Sequence, residues 1–269
     1  MNWLTVLTSS LMAALGALVG GLIGGLLARG REGGARQIVV ILCLVIGAAV
    51  GAQVLGPRAS AWYELHNAEA KLLDVPVYRV LKKHEPTVYA KILAEYKRTV
   101  ADPKQMDAFT SLVMNEVSDV TSRRMGTASQ DSLIALIREM LGNLRVLQKD
   151  GDSCFRYLFP QVAGPIDFKK HFDEAAESRS LTLLAEVIRS SAEEPAKAEP
   201  PNVAQEKLVP VVQALAEEFG DDAQMLGNVA APGVDRGKVC AITISLYDRI
   251  LKLPEADAAM VLRSLAEAV

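Results

Sequence analysis

Two apolar runs open the chain, from Trp3 to Ala28 and from Ile38 to Gly56, separated by a short turn containing Arg29, Arg31 and Arg36. As helices rising 1.5 Å per residue they would reach about 39 and 28 Å, close to the roughly 30 Å hydrocarbon core of a bilayer. The pattern predicts a transmembrane hairpin over residues 1–57. After it the pattern changes to helical periodicity with polar faces, which predicts a soluble all-α domain over 58–269.

Within that domain, Trp62, Leu65, Ala68, Leu72 and Leu73 fall on one side of a helix expected over 59–73. Pro76 and Pro86 each suit the opening of a helix, and Pro103 suits the first turn of another after Asp102. Met106, Phe109, Leu112, Val113, Val117 and Val120 form the expected buried stripe of that helix. Leu133, Ile134, Ile137, Leu141, Leu144 and Leu147 recur at helical spacing after Ser129 or Gln130, until Asp150-Gly151 stops the run. Residues 192–204 read AEEPAKAEPPNVA, the composition of an exposed loop. Further helices are expected over 203–219, 221–229, 239–251 and 254–268. Period-2 alternation is absent, so no strand competes.

The first apolar run places Gly16, Gly20, Gly24 and Ala28 every fourth residue, and the second answers with Gly47 and Gly51. Such stripes let helix backbones approach closely where lipid supplies no hydrophobic drive between helices. Over these residues the chain resembles the glycine-zipper transmembrane hairpins of bacterial envelope proteins. The packing chemistry is shared by unrelated proteins and names no activity. The same stripes suit self-association, and an oligomeric pore is one alternative function. Neither run contains an ionisable residue, which such pathways usually need.

Charge sets the expected topology. The turn carries three Arg against one Glu, and no Lys or Arg precedes the first run. The positive-inside bias puts the turn in the cytoplasm and residues 58–269 outside it, in the periplasm if the bilayer is a bacterial inner membrane. Trp3, Trp62 and Tyr63 then lie near the same headgroup layer. The chain carries 29 basic and 32 acidic residues, and removing the basic turn makes the remainder more acidic still. That balance argues against nucleic acid as a partner.

Three cysteines are present. Cys43 lies in the second apolar run, where it serves as a small packing residue. Cys154 and Cys240 are alone in the soluble part, and an oxidising compartment would join them, the alternative being two separately buried thiols. Their spacing carries no zinc signature.

Candidate chemistry is sparse. The chain shows no G-x-S-x-G, H-E-x-x-H, Walker A or dinucleotide glycine fingerprint, and no cofactor is expected. Asp167, His171 and Glu174 would share a face if they lay on one helix, but such spacing equally suits local charge pairs. His66 with Glu69, and His84 with Glu85, read as local pairs. A carboxylate pair acting on cell-wall glycans is the enzyme alternative, and sequence selects no such pair. Phe155, Tyr157, Phe159, Phe168 and Phe172 cluster around Pro160, Gly164 and Pro165. They form either the centre of the core or an interaction surface. The reading these patterns favour is a membrane-anchored, extracytoplasmic protein-binding module, an envelope scaffold or an inhibitor of an incoming toxin or hydrolase, acting by binding rather than catalysis.

Overall fold

A computed structural model describes residues 10, 13–15, 17–19, 43–50, 53, 56–197 and 201–267, and every element among them is helical. The chain divides into two compact units, residues 1–71 with 93–106, and residues 72–92 with 107–269. The expected division at residue 57 thus falls inside the first unit.

In the first unit, residues 13–15, 17–19 and 43–50 are helical. Most of the first apolar run and about half of the second, including Gly16, Gly20, Gly24 and Gly51, lie outside the described residues. Among those described, no helix is long and apolar enough to cross a membrane. Where side chains are described, Ala13, Ala17, Gly47, Ala48 and also Leu44 are half-covered, while Ala14, Ala49 and most of the large aliphatics are exposed, Leu18 at 66% and Val45 at 63%. Helix α1 (Gly56–His66) leads into α2 (Ala68–Leu73). Backbone bonds run on through the break between them, from Asn67 N to Tyr63 O and from Lys71 N to Asn67 O, so the helix expected over 59–73 is present and starts earlier. Its orientation differs from expectation. Ala68 and Leu72 are buried, but Trp62 and Leu65 are 65% and 40% exposed.

Helices α3 (Pro76–His84) and α4 (Pro86–Ala101) begin at the two prolines, where a missing N–H costs nothing. A 3-10 turn over Pro103–Gln105 precedes α5 (Met106–Met125). The expected stripe of α5 is buried only toward its C-terminal end: Val117 and Val120 are enclosed, Phe109, Leu112 and Val113 are less covered, and Met106 is exposed. Periodicity alone cannot show where along a helix the cover ends.

The second unit is built around α6 (Gln130–Leu147), whose N-cap Ser129 accepts a hydrogen bond from Ser132 N. All six apolar residues expected on its inner face are buried. The remaining helices are α7 (Gly151–Leu158), α8 (Pro160–Ala163), α9 (Glu174–Glu193), α10 (Pro201–Phe219), α11 (Arg236–Ile250) and α12 (Glu255–Glu267). Leu133 and Ile137 meet Val211, Ile250, Ala258, Val261 and Leu262, while Leu141, Leu144 and Leu147 meet Cys154, Cys240 and Ile244. Met140, Tyr247 and Leu251 touch both groups and make the core continuous. Val77 and Leu81 are the buried residues of α3, which packs on α9. The segment expected as a helix over 221–229 is instead a 3-10 helix, Gly220–Gly227. In the expected loop, α9 continues to Glu193 and α10 begins at Pro201, leaving mostly exposed residues over 194–197.

Polar contacts pin the C-terminal end of α9. Ser132 Oγ lies 2.8 Å from Ser190 Oγ, Thr127 Oγ1 lies 2.7 Å from Ser191 Oγ, and Ser129 N donates to Ser190 Oγ. These hydroxyls satisfy one another where α6 begins against α9, as enclosed polar groups must. In the last turn of α9, Glu193 accepts from Lys83 Nζ at 2.5 Å and from Arg189 at 2.9 Å.

Those two hydrogen bonds, the Lys83 bond contributing most, hold the Glu193 carboxyl at about 2. A depressed carboxyl contributes stability that is present above its unfolded value near 4.5 and lost as pH falls through about 2. The melting temperature of Glu193→Gln should therefore fall below that of the parent at neutral pH, and the gap should close between pH 4.5 and 2. A gap that stays constant over that range would refute the assignment.

Candidate functional site

Helices α7 and α11 cross at their N-terminal ends, and both ends follow the same local rules. Asp150 caps α7 by accepting from Asp152 N and Ser153 N, and Asp235 caps α11 by accepting from Lys238 N. Each helix then carries a Gly-x-x-Cys spacing, Gly151 to Cys154 and Gly237 to Cys240. A Cβ on Gly151 would stand 2.7 Å from Gly237 Cα and 3.1 Å from its backbone nitrogen, so a side chain there would force the helices apart. With that approach made, Cys154 and Cys240, both fully buried, are joined with their Cα atoms 5.9 Å apart. The bond closes a separation of 86 residues. Closing a loop of that length removes about 4–5 kcal/mol of unfolded-state entropy in the chain-entropy account. Outside the bond, Arg236 pairs with Asp152 and lies 5.1 Å from the centre of the Phe155 ring.

The aromatic segment starts from this crossing. Phe155 is fully enclosed and its ring centre lies 5.1 Å from that of Phe159, so Phe155 belongs to the core and cannot meet a partner as the chain stands. Phe159 ends α7, Pro160 opens α8, and Gly164 closes α8 at φ 78°, a conformation that favours glycine. The chain then returns through a 3-10 turn, Phe168–Lys170. Phe168 and Phe172 lie 4.4 Å apart, and Tyr157 lies 6.4 and 6.5 Å from them. Tyr157 and Phe172 pack on the α6 core, while Tyr157, Phe159, Phe168 and Phe172 all remain half-buried. Asn143 Nδ2 donates to Tyr157 Oη at 3.2 Å. Burial nonetheless raises the Tyr157 phenol above its ordinary value, with the Asn143 bond opposing. Val162, on α8 between the two halves of this aromatic segment, is 40% exposed.

The polar groups nearby are arranged for capping. Ser153 Oγ donates to Asp150 Oδ2 at 2.6 Å, and His171 Nε2 lies 3.4 Å from Ser153 Oγ. The Ser153 side chain, ahead of its backbone N–H, holds the Asp150 carboxyl below the usual range. A nucleophilic triad needs the imidazole between acid and hydroxyl, but here the hydroxyl stands between the other two, its proton committed to the acid. Asp167, His171 and Glu174 do not share a helix: Asp167 precedes the 3-10 turn, His171 follows it, and Glu174 opens α9. Among the described residues no group of three His, Cys, Asp or Glu side chains is placed to hold a metal ion.

Of the other histidines, His84 turns away from its sequence neighbour while His66 stays exposed with a local contact. His84 Nε2 lies 3.4 Å from Glu193 Oε1, and its neighbour Glu85 accepts from Arg124 at 2.5 Å. His66 stacks on Trp62, with ring centres 5.2 Å apart. In sequence Gly151 reads as a helix stop, and neither Gly237 nor Arg236 stands out. The duplicated Gly-x-x-Cys spacing is the one signal that points to the two glycines, and nothing local points to Arg236.

Compared with family models, curated proteins and solved structures, the chain matches none.

Two glycines separate the effect of the crossing from helix propensity. Gly142 is exposed on α6, and a methyl group added there would have nothing within 4 Å, so Gly142→Ala should raise the melting temperature by about 1–4 °C through propensity alone. Gly151→Ala should lower it, because the overpacking cost of about 1–3 kcal/mol outweighs the propensity gain. Cys154→Ser should cost about 2–5 kcal/mol. Thermal unfolding of the three variants tests the set, and a stabilised Gly151→Ala protein would contradict the close crossing.

Proposed function

We propose that this chain is a membrane-tethered, extracytoplasmic helical module that works by binding another protein, as a scaffold or as an inhibitor. The observation that carries the reading is the buried Cys154–Cys240 pair. Structural disulfides form and persist in oxidising compartments and are rare where thiols are kept reduced. A bonded pair in the second unit therefore favours residues 58–269 lying outside the cytoplasm. The basic turn at Arg29, Arg31 and Arg36 supports the same side.

The tether rests on the two apolar runs and on the distribution of exposure within them. Exposed Leu15, Leu18, Val19, Val45, Ile46 and Val50 suit helices that turn large side chains to lipid, and half-covered Ala13, Ala17, Gly47 and Ala48 suit a small-residue face, although Ala14 and Ala49 are exposed and Leu44 is half-covered. The same small-residue stripes would accept a second copy of the hairpin. Binding is supported by the shelf that Tyr157, Phe168 and Phe172 form by packing on one another, and by the exposed Val162 on α8 of the same segment. Aromatic rings held by a rigid frame present contact area at low entropic cost.

Enzymatic reporters fused after residue 58 and after residue 269 should be active only in forms that work outside the cytoplasm. Neutralising Arg29, Arg31 and Arg36 together should weaken that preference. For binding, a photo-crosslinking side chain at Val162 in the full chain should give one discrete adduct that the same group at Glu217 does not. Full activity of a cytoplasmic reporter after residue 269 would sink the topology, and identical adducts at both positions would sink the shelf.

A further inference from the structure

The first unit carries an open cleft of about 240 Å³ lined by Trp62, Leu65, His66 and Lys97. Three of these residues come from the last turns of α1 and the fourth from α4, within the part of α4 that belongs to the same unit. The Trp62 and His66 rings stack nearly parallel, 15° apart, and make one wall. Trp62 and Leu65 leave much of their apolar surface uncovered. Lys97 has no carboxylate partner among the described residues, whereas its neighbour Arg98 is paired with Glu95 at 3.0 Å. Glu64, the acid on the same stretch of α1, is turned to Lys71 at 3.7 Å. The cleft thus combines exposed indole and aliphatic surface with an ammonium that lacks an acid.

Its place in the chain indicates what covers it. Helix α1 starts at Gly56, where the second apolar run ends. Six residues of helix carry Trp62 about 9 Å beyond that point, a distance comparable with the depth of the headgroup layer. Indole rings favour that layer, and a lysine beside an anionic headgroup gains coulombic attraction on either leaflet. We propose that the Trp62–Leu65–His66–Lys97 cleft seats an anionic phospholipid headgroup, with Lys97 on the phosphate and with Trp62 and Leu65 at the boundary of the acyl chains. This inference rests on the membrane tether and adds a lipid preference to it. The stacked His66 covers one face of the indole and leaves the rest of it for the boundary.

The chain has two tryptophans, so Trp3→Phe in the full-length protein leaves Trp62 as the sole indole reporter. That protein is reconstituted into phosphatidylcholine vesicles with and without phosphatidylglycerol, and Trp62 quenching by acrylamide is measured. Phosphatidylglycerol should shield Trp62 and shift its emission to the blue. Lys97→Glu should abolish the dependence on phosphatidylglycerol, Lys97→Arg should retain it, and Lys149→Glu, an equal charge change in the second unit, should leave it intact. Far-ultraviolet circular dichroism and an intact disulfide establish that each variant is folded. Resistance to alkaline carbonate extraction reports the tether separately. A chain that carbonate extracts refutes the tether and with it the headgroup seat. A chain that resists extraction but shows the same quenching in both vesicles, or in Lys97→Glu and parent alike, overturns the headgroup seat alone. Shielding by inorganic phosphate in phosphatidylcholine vesicles would assign the cleft to a free anion and overturn the lipid.

Discussion

The close approach of Gly151 to Gly237 is the constraint on which the neighbouring features of the second unit depend. The requirement is one-sided: at Gly151 even a methyl group would strike the opposing Cα, whereas a methyl group on Gly237 would meet only Asp235 Oδ1 of its own helix end at 3.4 Å. The approach aligns Cys154 with Cys240 three residues further along each helix, and the bond between them makes the alignment permanent. Because the partners lie 86 residues apart, the bond also ties α11 to the middle of the chain across the polar stretch that follows α9. Much of what the bond stabilises is the return of the last segments to α6, an encounter whose entropic cost rises with the length of loop closed.

From that crossing the aromatic segment follows almost mechanically. Phe155 is driven into the core beneath Arg236, and Phe159 takes the helix end. The short helix at Pro160 and the turn at Gly164 then fold the chain back, so that Phe168 and Phe172 pack beside Tyr157. These rings are neither wholly core nor wholly surface: one side of the group completes the α6 cluster and the other remains half-covered. The two readings available from sequence, core centre or contact surface, describe two sides of one feature. The Asp150–Ser153–His171 group belongs to the same construction, since its hydrogen bonds cap the helix that carries Cys154.

What was legible in the sequence was local. The stripe from Leu133 to Leu147, the Ser129 cap and the proline-started helices depend on neighbours within a few turns, and each is where periodicity put it. The cysteine pair was legible for a different reason, because two candidates permit one partnership. Orientation was not legible. Trp62 and Leu65 fit a helical stripe, as Met106 fits another, but whether anything lies opposite depends on elements far away in sequence. His84 and Glu85 show the same limit in polar chemistry: adjacent in the chain, they turn to Glu193 and Arg124, on helices that no short-range pattern connects to them. Lys97 could not be linked with Trp62 from spacing at all.

A tethered module needs less from its binding surface than a free one does. Confinement near a bilayer replaces much of the translational search with an effective concentration set by the linker, so modest contacts suffice for occupancy. The half-covered rings offer an area of that modest kind, since Tyr157 and Phe172 are already packed against the core. Confinement also makes orientation matter, because a shelf that faces the wrong way gains nothing from proximity. A headgroup bound in the Trp62–Lys97 cleft would fix how α1 leaves the bilayer. On the proposed reading the apolar runs would hold the protein at the membrane, the cleft would set the angle of α1, and the disulfide would keep the aromatic shelf rigid enough for binding to depend on its shape.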